Sequence, residues 1–203
     1  TQEEYISEVG ADIYANDIAK YVNKLRIDVV SFACDEHIAD NLKKYKPCMA
    51  LNLVDSVHGQ SNLGASVIGL LEILSIPYTG AGTLGWSIGT NKYLMYQLMQ
   101  ANGIPVPTHQ LISNYSEMIN PELRYPLFPK LNNEHSSIGI DEKSICENEK
   151  QLRIKLKELI EKYNQPILID EFIAGIEVTS SVLDSINTKV YSVQRKTGVD
   201  TKE

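Results

Sequence analysis

Lys130 closes an apolar run and opens the stretch Lys-Leu-Asn-Asn-Glu-His-Ser-Ser-Ile-Gly over residues 130–139. A lysine followed by a small polar loop with paired serines, Ser136 and Ser137, and then Gly139, suits an anion. Such a loop turns several backbone N–H groups toward one phosphate, the hydroxyls add donors, and the ammonium adds charge. It is not a Walker A loop, because no Gly-Lys-Ser/Thr follows. The same residues also fit a solvated hairpin turn, where Ser and Gly serve turn chemistry.

Residues 167–178 read Ile-Leu-Ile-Asp-Glu-Phe-Ile-Ala-Gly-Ile-Glu-Val. Three apolar residues run into the acidic pair Asp170-Glu171. A short turn with Gly175 follows, and Glu177 opens a new run. Acids at a strand end, beside free backbone groups, can hold an adenine amino group and ribose hydroxyls. They also fit a hairpin mouth that is merely solvated. Lys92, after Thr90 and Asn91, opens a helix and can swing into a cleft, although most lysines are simply exposed. His58-Gly59 follows an apolar run, where open α/β sheets place ligands. His37, His109 and His135 make no metal-like spacing with it. No Gly-x-Ser-x-Gly elbow or Cys/His nucleophile motif appears.

These residues need elements to hold them. Tyr14, Ile18, Tyr21, Val22 and Leu25 fall at helical spacing. The β-branched run 27–32 predicts a buried parallel strand, with others at 49–54 and 76–79. Leu63, Val67, Leu70, Leu71 and Leu74 predict a helix over 62–74. This order points to a three-layer α/β sheet in the first half. Thr90 or Asn91 caps a helix running to about Asn102, ended by Gly103 and by Pro105 and Pro107. The second half predicts a strand at 125–130, placed at an edge by Pro126 and Pro129. An amphipathic helix over 147–163 carries Leu152, Leu156, Leu159, Ile160 and Tyr163 on one face. Strands follow at 166–173, 177–183 and 189–193. The second half is thus a small α+β unit, with the boundary at 104/105.

The chain of 203 residues carries a formal charge of −7, with 43% hydrophobic and 22% charged residues. That is globular composition and excludes a disordered or collagenous chain. No basic field suggests nucleic acid, and no apolar run reaches the roughly 18–20 residues of a membrane span. Cys34, Cys48 and Cys146 are too scattered for a disulfide frame or zinc site and read as reduced thiols of a cytoplasmic protein. The start at Thr1 and the polar tail 197–203 suggest a piece of a longer protein.

The order of these motifs resembles the D-alanine–D-alanine ligases and their ATP-grasp relatives over roughly residues 50–185. The carriers are Leu-Glu-Ile-Leu-Ser-Ile-Pro77-Tyr78-Thr79-Gly80, then Asn91-Lys92, then Gly103-Ile-Pro-Val-Pro107, the Lys130 to Gly139 loop, and Asp170-Glu171-Phe172-Ile173-Ala-Gly175-Ile-Glu177. Departures are Leu131 for the family's proline, His135 for its glycine, Asp170 for its first hinge glutamate, and no acidic pair after His58-Gly59.

The resemblance implies a three-layer pre-ATP-grasp, substrate-side domain over 1–104. An incomplete ATP-grasp nucleotide-binding lobe over 105–203 would follow. It implies a ligase that phosphorylates a carboxylate with ATP and lets an amine attack the acyl phosphate. Lys92 and Lys130 would neutralise the phosphates. Ser136, Ser137 and the backbone near Gly139 would roof the transferred group. Asp170 would accept from adenine, the Phe172–Ile173 backbone would pair with its edge, Glu177 would hold ribose, and Glu171 would belong to the same nucleotide-binding set. His58 would touch the amino-acid substrate. Mg2+ would bridge the phosphates through ligands beyond residue 203, and an opening strand would precede residue 1, so this length alone is expected to be inactive. Family members are often dimers through the first domain, which points to a homodimer. Three alternatives stay open: another amino-acid substrate, a non-catalytic nucleotide-binding relative, or an unrelated α/β binding module.

Overall fold

A computed structural model describes residues 11–134, 137–176, 178–183 and 189–194. The chain falls into two compact units, Thr1–Glu171 and Phe172–Glu203.

The first unit opens with helix α1 (Ala11–Lys24). Tyr14, Ile18, Tyr21 and Val22 lie on it as the spacing predicts and Leu25 just past its end, but Tyr14, Tyr21 and Leu25 face solvent. Helix α2 (Ile38–Tyr45) follows, then a 3-10 turn at Ser61–Leu63 and helix α3 (Gly64–Ile73). Leu42, Leu71 and Ile76 form a small core between them, with Phe32, Ala50 and Tyr78 packed against it.

The strands expected here do not become a sheet. Residues 27–32 join no ladder among the described residues, and Ile27 and Val30 are half exposed. Segments 49–54 and 76–79 do run side by side in parallel, but only the Ala50–Tyr78 bridge forms. Two local choices explain this. Pro77 has no N–H to donate, and the Asn52 N–H goes to the Thr79 hydroxyl at 3.1 Å rather than to a carbonyl.

Helix α4 (Thr83–Gly89) leads into α5 (Lys92–Ala101). Asn91 caps α5, its side chain accepting from the Leu94 N–H. Gly103 ends it at φ +72, a conformation glycine tolerates.

A second, larger core lies under a three-stranded antiparallel sheet of order β1–β3–β2. Its strands are β1 (His109–Ile112), β2 (Leu127–Leu131) and β3 (Ile167–Glu171). The two prolines do put β2 at the sheet's side. Helix α6 (Glu149–Tyr163), capped by Asn148, lays Leu152, Leu156 and Leu159 on Ile112, Leu127, Leu131, Ile167 and Ile169. Because strand side chains alternate, Lys130, Leu168 and Asp170 point to the opposite face, toward α5.

The second unit holds a two-stranded antiparallel sheet of β4 (Val178–Leu183) and β5 (Lys189–Gln194). The expected strands are therefore present. No helix among the described residues is long and apolar enough to cross a membrane.

Candidate nucleotide site

The face of the sheet turned away from α6 carries Lys130 and Asp170. Asp170 sits in the middle strand, with His109 of β1 and Phe128 of β2 as its register partners. It is 4% exposed. Lys130, two residues along β2 from Phe128 and so on the same face, forms an ion pair with Asp170 Oδ2. Burial works against the ammonium, but the Asp170 carboxylate and the Tyr96 hydroxyl outweigh it and hold Lys130 above the ordinary lysine value.

Lys92 arrives from the first turn of α5. Its Nζ donates to the backbone carbonyl of Glu134. Burial, and next the like charge of Lys130, push Lys92 down to about 8, with Glu134 and Asp170 opposing. The Lys130 charge is thus felt at Lys92, and the Asp170 carboxylate, paired with Lys130, opposes it. Such a cluster favours an added anion, because its charge offsets the repulsion in a partly desolvated setting.

The start of α5 excludes a different mode of anion binding. Free N–H groups at a helix start commonly hold phosphate. Here Asn132, 2% exposed, takes two of them: its carbonyl accepts the Lys92 N–H at 3.1 Å and its Oδ1 the Tyr93 N–H at 2.9 Å. Asn91 takes the Leu94 N–H. The amides are spent, so the lysine side chains are what this helix offers an anion.

Glu134 ties the loop to the first half of the unit. Its Oε2 accepts from Ser61 Oγ at 3.2 Å and its Oε1 from Gln165 Nε2 at 3.0 Å. The Ser61 carbonyl in turn accepts Trp86 Nε1–H at 3.0 Å.

Ser137 is exposed at φ +60. Gly139, at φ +75, turns inward. A Cβ there would lie 3.0 Å from Leu159 and 3.3 Å from Tyr163, so this glycine anchors the loop on α6. Ser136, His135 and Glu177 lie outside the described residues.

The carboxylate of Glu171 is turned away from the cluster. It lies on the opposite face of β3 from Asp170, and its Oε1 accepts the Arg124 N–H at 2.8 Å. The reason is strand alternation, which separates neighbours Asp170 and Glu171. Phe172 and Ile173 are exposed in the second unit. His58 is exposed in a tight turn closed by the Val57–Gln60 bridge, with Gly59 beside it and both at positive φ.

Tyr96, Asn132 and Glu134 belong to this cluster and are not found by motif reading. Tyr96 had a signal: it stands four residues after Lys92, on the same helix face. Among the described residues no three His, Cys, Asp or Glu side chains gather as a metal site.

The family model described as "D-ala D-ala ligase C-terminus" matches residues 98–201. A D-alanine–D-alanine ligase of Carboxydothermus hydrogenoformans is 32% identical over 94% of this chain and 60% of its own length. One from Pseudomonas entomophila is 32% identical over 77% of this chain and 48% of its own. The solved D-alanine–D-alanine ligase of Bacillus anthracis superposes with a TM-score of 0.67 at 22% identity. That match covers 91% of this chain and 66% of that one, and it shows a shared fold. The chain thus spans about half to three fifths of the length of these two relatives. With half of it matched by the family model, the chain belongs to the D-alanine–D-alanine ligase family.

Proposed function

We propose that this chain supplies the nucleotide-binding part of an ATP-dependent carboxylate–amine ligase, most like D-alanine–D-alanine ligase. The observation that carries the reading is the Lys92–Lys130–Asp170 cluster: two lysines that influence each other electrostatically, and a buried carboxylate paired with Lys130 whose Oδ1 has no hydrogen-bond partner. The donor set fits an adenosine triphosphate. Lys92 and Lys130 would neutralise the phosphates, and Asp170 Oδ1 would accept from the adenine amine.

ATP supplies the phosphoryl group that activates a carboxylate for attack by an amine. The chain's part is positioning and charge neutralisation. Ser136, Ser137 and the backbone near Gly139 would cover the phosphates and exclude water. Phe172, Ile173 and Glu177 follow Asp170 in sequence and stay the candidates for the base edge and ribose. Glu171 would take part through its backbone, and His58 as a contact to the amino acid. We place the substrate-side domain at 1–104 and the nucleotide lobe at 105–203. Mg2+ would accompany the triphosphate, and the described residues offer no ligand set for it. A cytoplasmic homodimer is the setting in which we expect it to act.

The test is ATP binding by titration calorimetry on this chain, followed by phosphate release from the full-length gene product. Release that depends on D-alanine supports the reading. Release with another amino acid moves it to a different substrate of the same class. ATP binding without release by any amino acid favours a non-catalytic relative.

A further inference from the structure

We infer that Tyr96 is a positioning residue for base recognition: its hydroxyl locks the Lys130–Asp170 pair so that Asp170 Oδ2 is used inside the protein and Oδ1 is left for the ligand. The inference rests on the nucleotide reading of this face and assigns a role within it.

Tyr96 is 8% exposed. Its hydroxyl stands 3.0 Å from Asp170 Oδ2 and 3.0 Å from Lys130 Nζ. The hydrogen positions are forced. An ammonium has donors only, so the hydroxyl accepts from Lys130 and gives its single hydrogen to Asp170. Oδ2 then receives two donors, from Lys130 and Tyr96. Oδ1 receives none, and among the described residues it is the one buried side-chain polar atom without a partner. Leaving such an atom unmet is costly, more so when it carries charge, and a ligand donor that reaches it would relieve that cost. A 6-amino purine brings an N–H there, whereas a 6-oxo purine brings lone pairs against lone pairs.

The ring is held as well as the hydroxyl. The His109 imidazole meets it edge-on, with centroids 5.0 Å apart and planes at 70°. His109 Nδ1 stands 2.9 Å from the Pro107 carbonyl, which fixes the imidazole's own orientation. Without the hydroxyl, Lys130 loses an acceptor, Oδ2 loses a donor, and the carboxylate can rotate to share both oxygens with the ammonium. Selectivity for the amino edge then falls.

The experiment compares wild type, Tyr96→Phe and the control Tyr93→Phe. Tyr93 also meets His109 edge-on, at 5.8 Å. Titration calorimetry with ATP, inosine triphosphate and inorganic tripolyphosphate gives the preference for the amino purine. NMR titration of the Lys130 side chain in the nucleotide-free protein reports the pair itself. In Tyr96→Phe the preference for ATP over inosine triphosphate should drop about five- to tenfold, the worth of one hydrogen bond. Tripolyphosphate binding should hold, and the Lys130 midpoint should move down. Tyr93→Phe should match wild type in all of these. A Tyr96→Phe protein that keeps both the preference and the Lys130 midpoint overturns the role of Tyr96 alone. A wild type that binds ATP and inosine triphosphate equally overturns base reading at Asp170, and the inference falls with it.

Discussion

The Asn132 carbonyl accepts the Lys92 N–H at 3.1 Å, joining the end of one lysine-bearing element to the start of the other. With Asn132 Oδ1 on the Tyr93 N–H, one buried residue both caps α5 and sets where Lys92 stands relative to Lys130. Asn132→Ala keeps the carbonyl but removes the side-chain acceptor. By the usual worth of a cap, stability should fall by about 1–2 kcal/mol. ATP affinity should fall further than that of a distant surface variant, because the start of α5 carries Lys92. Urea denaturation and calorimetry measure the two effects.

Lys92 should behave as an unusually acidic lysine. Its folded value of about 8 lies below the ordinary 10.5. Below pH 8 it is charged in both folded and unfolded chains, and the fold carries the cost of that charge. Between about 8 and 10.5 the folded chain releases the proton first, so Lys92's contribution to stability becomes less unfavourable as pH rises. Lys92→Met should therefore leave the nucleotide-free protein as stable as wild type at pH 7, or more so, while weakening triphosphate binding at least tenfold. An amine-selective reagent at pH 8 should label Lys92 ahead of exposed lysines, and bound ATP should protect it. Peptide mapping by mass spectrometry checks both.

The elements of the second half were legible in the sequence because they are local and strongly patterned. The α6 face of Leu152, Leu156 and Leu159 and the cap at Asn148 are examples, as are the strands around Asp170. The first half was less so. Runs of β-branched residues at 27–32 and 49–54 announce strands, but a strand exists only through its partner. Pro77 and the Thr79 hydroxyl interrupt the pairing of 49–54 with 76–79. Lys92, Lys130 and Asp170 were found by motif order. Tyr96 and Glu134 were not, because their roles rest on contacts 74 and 42 residues distant in sequence, with Asp170 and Lys92 respectively.

Gly64 is a position where only a hydrogen fits. A Cβ there would stand 2.6 Å from the Trp86 ring, whose Nε1–H donates to the Ser61 carbonyl. Gly64→Ala gains helix propensity but must displace an indole. The displacement should win, with a net loss of about 1–3 kcal/mol typical of overpacking. Because Ser61 also donates to Glu134, the shift should reach the loop that holds Lys92. Calorimetric melting gives the stability loss. A change in the Lys92 NMR titration midpoint gives the transmitted effect.

The Lys130–Asp170 pair should be strongly coupled. Asp170→Asn leaves Lys130 without its ion-pair partner and Lys92 without an opposing charge, in a site where Lys130 is 17% exposed. Breaking a buried pair from one side typically costs about 3–5 kcal/mol, because the remaining charge is stranded. Lys130→Met alone strands the carboxylate instead. The double variant Asp170→Asn with Lys130→Met removes both charges, relieves Lys92 of its nearest like charge and leaves Tyr96 a neutral amide to donate to. Its loss should be well below the sum of the two single losses, with a coupling of about 2 kcal/mol or more in a denaturation cycle. Additive losses would mean that the two side chains do not hold each other. The face of the sheet would then lack the charge arrangement on which triphosphate binding depends.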